Sequence, residues 1–177
     1  EPLGEMEKGQ AEIVLCRSVR NGDLLKVNKL IEEYSVNPNW TCFGEPVIII
    51  AALNGHADVV DALLEAGADQ DKQDGKGRTA LMIAVEKEDM ECITALLEAG
   101  ADPNIDDYDE GKTALKIAIR AKKSNDDAES DDEEIDEFNY QDCINALLEA
   151  DADPDIQDDE GETALMIAVK KEDIECI

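Results

Sequence analysis

Thr79-Ala80-Leu81-Met82-Ile83-Ala84-Val85 recurs letter for letter as Thr163-Ala164-Leu165-Met166-Ile167-Ala168-Val169, and with two changes as Thr113-Ala114-Leu115-Lys116-Ile117-Ala118-Ile119. The identical copies both run on through Lys-Glu-Asp to Glu91-Cys92-Ile93 and Glu175-Cys176-Ile177. A second phrase, Leu-Leu-Glu-Ala, starts at Leu63, Leu96 and Leu147 and leads into Gly67-Ala68-Asp69, Gly100-Ala101-Asp102 and Asp151-Ala152-Asp153. The Leu30-Ile31, Leu63-Leu64 and Leu96-Leu97 pairs are spaced by 33 residues, as are Pro46 and Thr79, while Thr79 and Thr113 are 34 apart. Such a period means stacked supersecondary units, none able to bury its apolar face alone.

Two short helical patterns and a Gly/Asp-rich connector in 33 residues resemble the ankyrin repeat, and the resemblance covers almost the whole chain. The family's Thr-Pro-Leu-His helix start appears at Thr79, Thr113 and Thr163. Its Ala-Ala-x-x-Gly-His turn is intact at Ala51–His56, and its Gly-Ala-Asp connector at Gly67 and Gly100. The resemblance implies an all-α solenoid of antiparallel helix pairs with projecting hairpin loops. A tail is expected at 1–10 and an ankyrin domain over 11–177, with repeats at about 11–38, 39–70, 71–103, 104–154 and 155–177. The motif's Pro is Ala in three copies and its His is absent, so a hydrogen bond between neighbouring turns is missing and looser turns are expected. In the third unit Thr79 is placed to cap the inner helix, and Ile93, Leu96 and Leu97 form the outer helix's apolar stripe. The chain opens without Met and stops at Ile177, inside the fifth unit's outer helix, so both ends are expected to continue.

The fourth unit is split. Cys follows Thr by 13 residues in the third and fifth units but by 30 from Thr113 to Cys143. The insertion, about 123–139, includes nine acidic residues from Asp126 to Glu137. Such a block reads either as a solvated loop or as an electrostatic handle for a basic partner. Ser124 and Ser130, each three residues before an acidic side chain, are candidate phosphorylation sites. Ser130-x-x-Glu133 resembles a capping box, and Ile135, Phe138 and Cys143 extend the outer helix backwards.

Charge narrows the partner. Forty-five acidic against sixteen basic residues give a formal charge of -29, which repels nucleic acid and anionic membranes and favours basic surfaces. The apolar run Val47–Leu53 is far too short to span a bilayer. Cys16, Cys42, Cys92, Cys143 and Cys176 are odd in number and form no C-x-x-C pair, so reduced thiols and an intracellular, cytoplasmic setting are expected. Cys92, Cys143 and Cys176 hold one register position in stacked units about 10 Å apart, too far to share an ion; they read as small apolar fillers.

No enzymatic motif is present. The single histidine, His56, sits in the Gly-His turn as a backbone support rather than a general base. Asp151, Asp153, Asp155, Asp159 and Glu162 mimic a calcium-loop spacing, but Ile156 stands where the loop's sharp turn needs Gly. No catalytic, cofactor or metal residue is therefore assigned. The resemblance implies a protein-interaction module, monomeric, whose surface combines hairpin tips (about 71–78, 104–112 and 155–162, with a shorter one at 39–45) and the exposed inner-helix faces. The residues so placed are Trp40, Phe43, Lys72, Lys76, Arg78, Glu86, Lys87, Tyr108, Lys112, Arg120, Asp159, Glu160 and Lys170, beside Leu53, Asn54 and Lys171. Trp40 either joins that surface or packs inward as a lid. The alternatives are a regulatory segment of a larger enzyme or channel, or an acidic decoy or chaperone for basic proteins.

Overall fold

The computed structural model describes residues 8–122 and 139–171. Among them nine helices run as α1 (Lys8–Arg20), α2 (Leu24–Tyr34), α3 (Val47–Leu53), α4 (Ala57–Glu65), α5 (Ala80–Glu86), α6 (Met90–Glu98), α7 (Ala114–Ala121), α8 (Tyr140–Glu149) and α9 (Ala164–Lys170). Two-residue strands β1 (Thr41–Cys42) and β2 (Glu45–Pro46) pair antiparallel as a small hairpin. The protein is an all-α repeat solenoid. α1, α3, α5, α7 and α9 stack in one layer, α2, α4, α6 and α8 in a second, and α1, α3, α5 and α7 each pack on the outer helix that follows.

Capping explains where the helices start. The Thr79 and Thr163 hydroxyls accept the Met82 and Met166 amides at 3.3 Å, and the Asp89 carboxylate accepts the Cys92 amide at 2.9 Å. Each satisfies an amide that the first turn leaves unpaired. Inner helices are only 7–8 residues long from α3 onward, and α3 and α5 are buried almost throughout. Short helices of this kind are held by neighbours rather than by propensity.

The outer helices bury one repeated pattern: Val59, Val60 and Leu63 in α4, Cys92, Ile93 and Leu96 in α6, Cys143, Ile144 and Leu147 in α8. Leu97 is only half-buried, so the stripe lies one position earlier than Ile93, Leu96 and Leu97 suggest. Cys92 and Cys143 fill the core as expected, and burial pushes both thiols up, the latter to about 12. Cys176 lies outside the described residues. α8 starts behind Asn139, whose backbone is extended and whose side chain accepts the Gln141 and Asp142 amides. α8 thus begins at Tyr140; the expected backward extension through Ile135 and Phe138, like the rest of 123–138, lies outside the described residues.

A larger correction concerns Cys16 and Cys42. They are expected as free thiols, yet they form a disulfide, their Cα atoms 5.9 Å apart. The hairpin of the second unit folds onto α1 and brings together two residues that are 26 apart in sequence. Cysteine spacing alone carries no sign of that proximity.

Candidate partner-binding surface

Each long hairpin is built on an aspartate at its base. The Asp74 carboxylate accepts the amides of Lys76 (2.8 Å) and Arg78 (2.9 Å) and the Arg78 guanidinium. Asp158 accepts the Glu160 and Glu162 amides and an Arg120 bond at 2.8 Å. Asp107 accepts the Glu110 and Lys112 amides. Burial works against charge on Asp74, but the two amides and the guanidinium more than offset it and hold the carboxyl below its ordinary range. These aspartates were not singled out from sequence. Their signal was present: an Asp a few residues before Gly-x-Thr recurs in Asp74…Gly77-Arg78-Thr79, Asp107…Gly111-Lys112-Thr113 and Asp158…Gly161-Glu162-Thr163.

Neighbouring hairpins are joined by backbone hydrogen bonds, Tyr108 to the Lys76 carbonyl (2.9 Å) and Asp159 to the Glu110 carbonyl (3.1 Å). The turns are thus tied together without the family's histidine. A side-chain ladder runs beneath them. Asn39 donates to the Gly67 carbonyl and accepts the Asp69 amide, Asp71 accepts the Asp102 amide, and Asn104 donates to the Asp151 carbonyl and accepts the Asp153 amide.

On this frame the candidate residues fall into two groups. Phe43 is 99% exposed and Tyr108 67%, the latter steadied by its hydroxyl donating to Gln73 at 3.0 Å. Lys76, Glu86, Lys87, Asp159, Glu160 and Lys170 are exposed as well. Trp40 is half-buried and packed against the core, as the lid alternative has it.

Most of the basic candidates are already engaged. Arg78 lies between Asp74 (2.8 Å) and Glu86 (3.3 Å), Lys112 meets Glu110 at 2.6 Å, and Lys170 meets Glu162. Arg120 reaches Asp158 (2.8 Å), Glu162 (3.5 Å) and Glu110 (3.7 Å). Lys72 donates to the Asn39 carbonyl and Lys171 to the last carbonyls of α7. Lys76 and Lys87 make no salt bridge among the described residues. The surface is therefore mixed in residue type but weak in spare positive charge, with aromatic rings and unpaired carboxylates most available.

The other residues that the sequence points to lie away from this surface or outside the described residues. The His56 ring Nε2 donates to the Arg20 carbonyl (3.1 Å) and the ring closes over Gly22, a backbone-supporting position. Glu162, the twelfth residue of the calcium-loop mimic, is taken up by Arg120 and Lys170. Ser124 and Ser130 lie outside the described residues. No helix of the described residues is long and apolar enough to cross a membrane.

A family model described as ankyrin repeats (3 copies) matches residues 15–107, and one described as ankyrin repeats (many copies) matches residues 135–177.

Proposed function

The chain belongs to the ankyrin repeat family, and on that footing we propose that it is a non-catalytic protein–protein interaction module whose hairpin tips and exposed inner-helix faces receive a partner protein. Phe43 carries the reading. Its ring covers nothing of its own fold, and its backbone sits at φ 54°, a left-handed conformation that costs a side-chain-bearing residue about 1–2 kcal/mol. A residue kept there at a cost to stability supports recognition, since aromatic rings dominate interface energetics. Tyr108 adds a second ring two hairpins along the array. The partner's complementary face is apolar opposite Phe43 and basic opposite the Asp159 and Glu160 tip, in keeping with the charge of -29.

Cross-linking capture from the native source tests this, using Phe43→Asn with Tyr108→Ala as the subtraction. Asn tolerates the left-handed turn, so the hairpin keeps its shape. Proteins held by the parent chain through moderate salt and lost from the double variant support a shape-specific interface. If both chains capture one set, and moderate salt releases all of it, the protein is an acidic decoy and the reading fails.

A further inference from the structure

The 39–46 hairpin differs from the other three in how it is held. Its ladder is only two residues long on each strand, Thr41 opposite Pro46 and Cys42 opposite Glu45, and Pro46 has no amide to donate. Isolated two-stranded hairpins of that size are marginal in water. Its root is tied down: Asn39 bonds the second connector, Lys72 donates to the Asn39 carbonyl at 2.9 Å, and the Val47 amide donates to the Trp40 carbonyl at 3.0 Å. Beyond that root, the link from Cys42 to Cys16 is what fastens the tip to α1. The tip is Phe43-Gly44, with φ values of 54° and 92°.

The geometry points to a thiol–disulfide exchange site: we propose that Cys16 and Cys42 form a redox-responsive clamp that locks the Phe43 hairpin when oxidised and frees its tip when reduced. The reactant is a small-molecule thiol of the glutathione class. Its thiolate attacks one sulfur of the pair, breaking the S–S bond, forming a mixed disulfide and releasing the other cysteine as a thiolate. A second thiolate displaces the remaining cysteine. Two small thiols are oxidised to their disulfide, and the two electrons and two protons end on Cys16 and Cys42. Some exposure remains at these two residues, 9% of Cys16 and 6% of Cys42. Cys92 and Cys143 have none, and burial disfavours their thiolates. Among the described cysteines, the response is confined to the first hairpin.

The consequence for recognition rests on the reading of Phe43 as a docking residue; the clamp does not, and its test needs no partner. The full chain is equilibrated in oxidised glutathione or in dithiothreitol and digested with a low dose of chymotrypsin. Cleavage after Phe43, read by mass spectrometry, is expected at least tenfold faster in the reduced chain. Cleavage after Tyr108, exposed on a hairpin without a disulfide, keeps one rate in both states. Cys42→Ser in the oxidising buffer is expected to behave as the reduced chain, with far-UV circular dichroism unchanged throughout. Equal Phe43 cleavage in both states overturns the clamp, as does finding both cysteines as free thiols in the oxidising buffer. Loss of helix content with new cuts inside α1 and α2 also overturns it, because the bond then merely holds the first unit folded. None of these results bears on whether Phe43→Asn loses a partner.

Discussion

The Lys116 amine donates a hydrogen bond to the Gly111 carbonyl, 3.3 Å away, from a side chain that is 1% exposed. The equivalent positions in the units before it are Ile49 and Met82, both buried. A lysine stem thus continues an apolar column through the array, and its charge is carried to the base of a hairpin. Burial pushes the amine down from the ordinary lysine value of 10.5, with Arg120 acting in the same direction and Asp158, Asp106 and Asp107 opposing.

Lys116→Met should therefore stabilise the protein, by about 1–2 kcal/mol, by restoring the column's residue type. The sign of its pH dependence follows from the depressed value. The folded chain binds the Lys116 proton less tightly than the unfolded chain, so stability rises with pH between the folded value and 10.5. The advantage of Lys116→Met in thermal melts is expected to be full at neutral pH and to shrink towards pH 10. A gap that widens instead would show that the amine is stabilising where it lies.

The ladder of Asn39, Asp71 and Asn104 suggests a second pair of changes. The two asparagines use both ends of the amide, whereas Asp71 only accepts, leaving the Gly100 carbonyl to a 3.4 Å bond from Gln70. Asp71→Asn should gain up to about 1 kcal/mol by donating to Gly100, and Asn104→Asp should lose about 1–2 kcal/mol. Urea unfolding of both variants checks the opposite signs.

Leu96→Ala is expected to cost about 2–5 kcal/mol, because Leu96 is fully buried. Leu97→Ala should cost clearly less, since its side chain is half-exposed. Thermal melts giving equal losses would place the packing seam between the two residues rather than on Leu96.

That contrast marks how far the sequence was legible. The period, the helix pairs and the Thr79 and Thr163 caps are all written in repeated letters, because each unit meets nearly the same neighbours. Phase is not: both Leu96 and Leu97 fit a helical stripe, and which one is fully buried depends on how the helix is rotated in the stack. Contacts made once in the array are the least legible. The Cys16–Cys42 link, the inward seat of Trp40 and the reach of Arg120 to Asp158 belong to no repeat, so comparing the chain with itself could not reveal them. The resemblance puts Phe43 and Tyr108 at hairpin tips; how far each ring stands exposed is set by the hairpin that carries it.

Gly77 ties the fold to the candidate surface. It lies at φ 80°, and a Cβ there would stand 2.6 Å from the Tyr108 amide nitrogen and from its ring. The close approach is what lets the Tyr108 amide reach the Lys76 carbonyl at 2.9 Å. Gly77→Ala adds the left-handed penalty of about 1 kcal/mol and pushes this bond apart, for a total cost of about 2–3 kcal/mol. Gly75→Ala, two residues away with open space around its Cβ, should stay within about 0.5 kcal/mol of the parent. Hydrogen exchange separates a local from a general effect: the Tyr108 amide should lose its protection in Gly77→Ala while the amides of α5 and α6 keep theirs. A Tyr108 amide still protected in that variant would mean that the hairpins move together to accept the methyl group, and that the ring's position does not depend on Gly77.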